Sequence, residues 1–320
     1  MKAITLREIE AASRRIRDSV LRSPLLRLPV EETSAEIYCK LENLQPIGSF
    51  KLRGAGNAMA LAPPEQLTQG VVTASAGNMA QGVAWHARRL GIPCHVVVPD
   101  HAPETKLEAI QRLGGEVVKT PFDEWWKIIL SGGYEALPGW FIHPVRDRDV
   151  IAGNGTIGLE ILEDLPDVDA VIIPYGGGGL SSGIASALRA LKPEARVYAV
   201  EVETAAPLAA SLAVGRPVAV DYQASFVDGI GGASVLPEIW ELVSGLLDGS
   251  LVVTLDETRA AIRLLAERQR VIAEGAGAAA VAAALAGRAG GGVLVCVVSG
   301  GNIDRGVLAG ILGRQHLTPL

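Results

Sequence analysis

The chain is poor in several features, and each shortage narrows what it can be. Only three cysteines occur in 320 residues, Cys39, Cys94 and Cys296, far apart and set in apolar, strand-like runs. That spacing argues against a disulfide framework and for buried free thiols. Cations are not in excess: 29 Lys and Arg against 35 Asp and Glu leave a formal net charge of -6. A nucleic-acid partner, which needs clustered positive charge, is therefore not expected. No apolar run is long enough to span a bilayer, so no membrane partner is expected either. The N-terminal MKAITLREIEAASRRIRDSV alternates charged and apolar residues like an amphipathic helix and has no apolar signal core. Fixed-period repeats and low-complexity linkers are missing. A soluble, cytoplasmic protein fits these absences.

Hydrophobic residues make up 49% of the chain, enough for two modest domains or one large one. Short β-branched runs alternate with longer helical patterns. The strand candidates are GVVTAS (70–75), CHVVVP (94–99), GEVVKT (115–120), WFIHP (140–144), AVIIPYG (170–176), RVYAVE (196–201) and GVLVCVVSG (292–300). This alternation predicts an α/β fold with mostly parallel sheets covered on both faces. Thr254 and Glu257 stand at capping-box spacing and predict a helix start. The alanine-rich stretch at 275–287 reads as a tightly packed helix, because alanine is the best helix former.

Four stretches carry chemistry. In QPIGSFKLRGAGNAM (45–59), Lys51 follows a glycine, a serine and a phenylalanine. It is either a solvated charge or a reactive amine approached by small residues. The run Gly176, Gly177, Gly178, Gly179 follows an apolar strand and precedes a helical pattern. Glycines there let backbone N–H groups approach a ligand, and the helix N-terminus favours a phosphate; a flexible turn is the plainer alternative. TASAGN (73–78) ends a strand and starts a helix, so Ser75, Gly77 and Asn78 suit either a carboxylate cradle or simple capping. VVSGGN (297–302) ends another apolar strand with Ser299, at the kind of strand end where ligands collect. GNGTIG (153–158) matches a dinucleotide fingerprint, but no buried strand precedes it and no acid follows about 20 residues later. A nicotinamide oxidoreductase is a poor second reading.

Taken in order, GSFKLRGA, TASAGN, the tetraglycine run and SGGN resemble the fold-type II pyridoxal-phosphate enzymes, from about residue 5 to residue 315. Within them the chain is most similar to the threonine/serine dehydratases (ammonia-lyases) and serine racemases. The resemblance implies two doubly wound, open-sheet α/β domains of the tryptophan synthase β-like type, with pyridoxal 5'-phosphate between them. The small domain would be 48–144, and the large one 1–47 with 145–320. It implies that Lys51 joins the cofactor as a Schiff base and takes the substrate's Cα proton, tasks that desolvation of a lysine assists. Phe50 would pack on one face of the pyridine ring, with Gly229 near the other. Gly176 to Gly179 and Leu180 would hold the phosphate, Asn78 the ring's 3-hydroxyl, and Ser299 would face the pyridine nitrogen. Ser75, Ala76, Gly77, Asn78 and Met79 would receive the substrate. A neutral hydroxyl at the nitrogen makes a weaker electron sink than a carboxylate partner would, which favours prompt loss of a β-leaving group. The implied reaction removes the hydroxyl of a β-hydroxy-α-amino acid, threonine or serine first, and gives a 2-oxo acid and ammonia. A homodimer or homotetramer is implied as well.

Departures from the family refine these expectations. Ala76 stands where racemases carry a second serine, and alanine has no proton to give the far face of the substrate. Met79 replaces a usual histidine, Val145 an aromatic or amide, and Asn154 a glutamine. A retuned substrate pocket, such as one for 3-hydroxyaspartate, is the alternative these suggest. Glu201 matches one ligand of the racemases' cation site, but Pro207 stands where a second acid would be, so no metal is expected. The chain stops soon after its last helical pattern, and isoleucine feedback through an extra C-terminal domain is not expected.

Overall fold

The computed structural model describes residues 1–31 and 33–313. The described residues form strands β1 (Leu25–Arg27), β2 (Glu36–Leu41), β3 (Val71–Ala74), β4 (Cys94–Pro99), β5 (Glu116–Thr120), β6 (Trp140–Phe141), β7 (Ala170–Pro174), β8 (Arg196–Val202), β9 (Gly249–Val253) and β10 (Val293–Val298). One sheet has the order β1-β2-β10-β7-β8-β9, the other β5-β4-β3-β6. Every pairing is parallel except that of β1 with β2, at an edge. The architecture is α/β with two open sheets, as the alternation of patterns predicts. Each β-branched run named above forms a strand, although WFIHP gives only the two residues of β6.

The chain divides into two compact units. One comprises Met1–Arg22, Gln45–Glu160 and Gly178–Leu191; the other comprises Ser23–Leu44, Ile161–Gly177 and the residues from Lys192 onward. The expected segment 48–144 holds all four strands of the smaller sheet. The first unit also takes in residues 1–22, 145–160 and 178–191, because helices from those segments pack on one another. The helix Arg148–Asp164 carries the GNGTIG motif in its interior, so this is no phosphate loop. Its glycines serve helix packing instead. A Cβ at Gly153 would stand 2.6 Å from the Arg53 carbonyl oxygen, and one at Gly155 would stand 3.0 Å from Ile9 Cδ1. Those distances admit no side chain, so the Leu6–Ile16 and Lys51–Leu61 helices can lie against this one only where it is glycine.

Each unit has its own core. In the first, Ala55, Met59, Met79, Val83, Val96 and Val150 belong to one buried cluster. In the second, the alanine-rich helix Gly275–Leu285 is buried along almost its whole length and shares a cluster with Cys39, Ile172, Val200 and Leu294. The expected capping box forms at the Leu255–Leu264 helix, where the Glu257 amide donates to Thr254 Oγ1 (3.1 Å) and the Thr254 amide to Glu257 Oε2 (2.8 Å). All three cysteines are free and buried. Burial pushes the thiols of Cys39 and Cys94 up to about 12, so neither is a nucleophile at neutral pH.

Candidate active site

Lys51 is the first residue of the Lys51–Leu61 helix in the first unit. Gly48, with φ +73°, makes the turn that delivers it, a conformation that side chains rarely adopt. The amine is half-buried; Nζ donates to the Pro144 carbonyl oxygen at 3.1 Å and lies 5.2 Å from the centroid of the Phe50 ring. The helix behind it is fixed by polar contacts that apolar patterning does not reveal. Buried Arg53 makes a bidentate pair with Glu160 (2.6 and 2.8 Å) and also donates to Thr156 Oγ1 and the Leu21 carbonyl. Asn57 Nδ2 donates to the Asp149 carbonyl at 2.7 Å. His86, from the Asn78–Leu90 helix, places Nε2 at 2.9 Å from the Leu52 carbonyl. A carbonyl only accepts, so Nε2 carries the proton. The ring fits because residue 56 is glycine: a Cβ there would stand 2.6 Å from Nε2. Burial holds the His86 pKa down at about 4, partly offset by that hydrogen bond, so the ring is neutral at physiological pH.

The TASAGN loop leads from β3 into the Asn78–Leu90 helix, also in the first unit. Ser75 Oγ accepts the Gly77 amide at 3.2 Å, and the N-cap residue of the helix is Gly77, which has no side chain to offer. Ser75, Ala76, Gly77 and Asn78 are half-buried, and a Cβ at Gly77 would meet nothing within 4 Å. A helix start with open space beside Gly77 suits a carboxylate. Met79 departs from expectation. Its side chain is 1% exposed and lies in the apolar cluster with Ala55 and Met59, so it fills the core and does not meet a substrate.

Of the tetraglycine run, Gly176 and Gly177 belong to the second unit and Gly178 and Gly179 to the first. Gly178 has φ +89°, and Gly179 opens the thirteen-residue helix Gly179–Leu191. Leu180 is buried beside it. A Cβ at Gly179 would stand 3.0 Å from the Val145 carbonyl oxygen. Asn154 Nδ2 donates to the Gly179 carbonyl at 3.3 Å, so this side chain holds the loop from behind, and its Oδ1 is buried without a partner. Val145 and Asn154 thus meet the first unit's glycines through backbone and amide groups.

In the second unit, Ser299 is buried at the end of β10. Gly229 is exposed, and a Cβ there would stand 2.9 Å from Ala276 Cβ and 3.3 Å from Glu274 Oε1. The Glu274 amide donates to the Gly300 carbonyl at 3.0 Å, so the residues after Ser299 are tied to the start of the alanine-rich helix. Glu201 is buried, and its carboxylate accepts the amides of Leu208 (2.9 Å) and Ala209 (2.8 Å) and the Ser250 hydroxyl (2.7 Å). Both oxygens are spent on capping the Pro207–Val214 helix. Burial raises its pKa, and these three hydrogen bonds oppose the rise.

The sequence reading overlooked Pro144, His143 and His86. The first two lie in a run read only as a strand, and the third in an ordinary helical pattern. The unusual HPVR context is a signal that was available for the first two, and nothing local marks His86.

Comparison with known proteins gives the chain its relatives. The chain is 43% identical over 316 residues to an L-threonine ammonia-lyase of Thermotoga maritima, covering 97% of this chain and 79% of the relative. It is 36% identical over 319 residues to a catabolic L-threonine dehydratase of Staphylococcus aureus, covering 97% and 92%. Among solved structures it superposes on maize serine racemase with a TM-score of 0.89 at 33% identity, covering 96% of each chain. No helix among the described residues is long and apolar enough to cross a membrane. The family described as pyridoxal-phosphate dependent enzyme matches residues 16–300, and the chain belongs to it.

Proposed function

We propose that the protein is a pyridoxal-phosphate-dependent ammonia-lyase that eliminates the hydroxyl of a β-hydroxy-α-amino acid, L-threonine or L-serine first, to give a 2-oxo acid and ammonia. The observation that carries this reading is the surroundings of the Lys51 amine: it opens a helix after the left-handed Gly48, and the turn that holds it also meets Gly179 of the glycine loop. The residues fit the cofactor. Lys51 offers an amine to its aldehyde, and Gly178 and Gly179 offer backbone N–H groups at the start of a long helix to its phosphate. Ser49 Oγ, two residues before Lys51, and Ser182 Oγ, in the first turn of the Gly179–Leu191 helix, are buried without protein partners, which fits a polar cofactor held by these two segments. Gly176, Gly177 and Leu180 would complete the phosphate loop in this reading, Phe50 and Gly229 would pack against the ring, Asn78 would hold its 3-hydroxyl, and Ser299 its nitrogen.

When bound, the cofactor supplies an electron sink for the substrate's Cα. The chain's own groups do the rest. The helix start at Gly77 and Asn78 holds the substrate carboxylate, with Ser75 shaping the loop. Lys51 moves the Cα proton as general base. Ala76 leaves the opposite face without a proton donor, which separates this reading from that of a racemase. The relatives named as threonine ammonia-lyase and dehydratase support the reaction class. We further infer a homodimer or homotetramer working in the cytoplasm, a reading supported by the family resemblance alone and checked by sedimentation. The experiment for the function is 2-oxo acid and ammonia release from L-threonine, L-serine and 3-hydroxyaspartate. Stoichiometric release from threonine or serine is expected. Release from 3-hydroxyaspartate only would transfer the assignment to that substrate, and release from none would refute the reading.

A further inference from the structure

His143 is buried and makes three hydrogen bonds that together fix its protonation. Its Nδ1 accepts the amides of both Val145 (3.1 Å) and Arg146 (3.0 Å), so that nitrogen carries no proton. The proton therefore sits on Nε2, which donates to the Ile129 carbonyl at 3.0 Å. Ile129 lies in the last turn of the Phe122–Ser131 helix, where carbonyls lack intrahelical partners. The next carbonyl, that of Leu130, accepts from Arg146 Nη2 at 2.6 Å. Residues 143–146 are thus bent around one imidazole and stapled to one helix end. The product of this bend is the direction of two successive carbonyls. That of Pro144 meets Lys51 Nζ at 3.1 Å, and that of Val145 lies 3.0 Å from where a Cβ on Gly179 would be.

We propose that His143 is a positioning residue for Lys51, acting through the Pro144 carbonyl. The neutral, Nε2-protonated ring holds the turn, the turn aims the carbonyl, and the carbonyl holds one N–H of the amine, which restricts its lone pair to the two remaining tetrahedral positions. The same turn keeps Val145 against the glycine that opens the Gly179–Leu191 helix. The inference rests on the reading of Lys51 as the reactive amine. Orientation of a base governs the chemical step more than ground-state binding, so the loss belongs in kcat.

The test uses the holoenzyme and the variants His143→Leu and His143→Asn. Leucine keeps apolar bulk but accepts no amide, whereas the asparagine oxygen can replace Nδ1 as acceptor for both amides. Four quantities are measured: kcat and KM for threonine, melting temperature, the pH titration of the visible band of the lysine-bound cofactor, and hydrogen exchange at the Val145 and Arg146 amides. For His143→Leu the expectation is a kcat lower by roughly ten- to a hundredfold, KM within about threefold of the parent, a displaced band titration and faster exchange at the two amides. His143→Asn should recover most of each. If the leucine variant does not fold, the asparagine variant carries the test alone, by keeping slow exchange, the parent titration and most of kcat. Parent-like kcat and titration in a folded leucine variant would overturn the proposal. Equal losses in both variants that follow only the melting temperature would overturn it too, since that is merely structural behaviour. If the unmodified protein neither binds the cofactor through Lys51 nor turns over, the proposed function has failed, and the unchanged band and activity of the parent distinguish that failure from this one.

Discussion

Lys40 and Lys51 both lie against backbone carbonyls, and under the proposed function they could hardly differ more in consequence. Lys40, in β2 of the second unit, is fully enclosed, with Nζ 2.6 Å from the Ser23 carbonyl. Lys51, at a helix head in the first unit, is half-buried, with Nζ 3.1 Å from the Pro144 carbonyl. Burial and a carbonyl partner are common to both, so neither identifies a reactive amine. The surroundings separate them. Lys40 sits in register between Leu25 of β1 and Val297 of β10, in the interior of a ladder that has no room for a guest. Lys51 follows a left-handed glycine, and its carbonyl partner belongs to a turn that also touches Gly179.

The sharpest way to break this comparison is to remove each amine. Lys51→Ala should lose turnover by ~10³-fold or more, since the covalent anchor and the general base vanish together. Lys40→Met should keep kcat and instead lose about 1–3 kcal/mol of stability, because the Ser23 carbonyl loses its donor inside the protein. Kinetics and urea denaturation on both variants check the contrast, which fails if Lys40→Met is the inactive one.

The next effect concerns how the Lys51 helix is held. Arg53→Met strands the Glu160 carboxylate that Arg53 now grips with two hydrogen bonds, and about 3–5 kcal/mol of folding stability should go with it. A denaturation midpoint within error of the parent would show that the pair contributes nothing.

Acid should find the same helix through His86. Its folded-state pKa of about 4 lies below the ordinary 6.5, so folding disfavours the protonated ring. The stability tied to the neutral ring is fully present above pH 6.5. It falls as the pH drops toward 4, by up to about 3 kcal/mol. His86→Gln should flatten the stability–pH curve in that window. Glu8, held at about 2 by Arg148, acts at lower pH, between 4.5 and 2, and the two windows are separable.

The smallest expected effect is stereochemical. Ala76→Ser puts a hydroxyl in the loop before Gly77, and D-serine formation from L-serine should rise above the parent's baseline while pyruvate formation stays dominant. Chiral chromatography of the products reads this directly. A parent that already racemises as fast as it eliminates would sink the role given to Ala76.

Much of this arrangement is legible before folding, and the illegible part has a physical cause. CHVVVP becomes β4 residue for residue, because an uninterrupted β-branched run suits a strand covered on both faces. EIYCKL becomes β2 although it carries Glu36 and Lys40, and no periodicity predicts that a carbonyl on Ser23 will take in the lysine. Met79 was misread because a position after Asn78 suggests the site, while the helix phase turns this side chain to Val83 and the core. The unit boundaries escape for a similar reason. Ile9 packs where Gly155 leaves room, and such a long-range fit of a side chain to a missing Cβ leaves no trace in local composition. His143 is the clearest case, since its partners are backbone atoms of Ile129, Val145 and Arg146 and carry no side-chain signature.

The most direct test of the central claim is to ask which lysine carries the cofactor. Borohydride reduction of the holoenzyme, followed by proteolysis and mass spectrometry, fixes the cofactor to its amine. The account predicts the label on the peptide containing Lys51 and none on the peptide containing Lys40. A label on Lys40 or on any other lysine, with Lys51 unmodified, would contradict it.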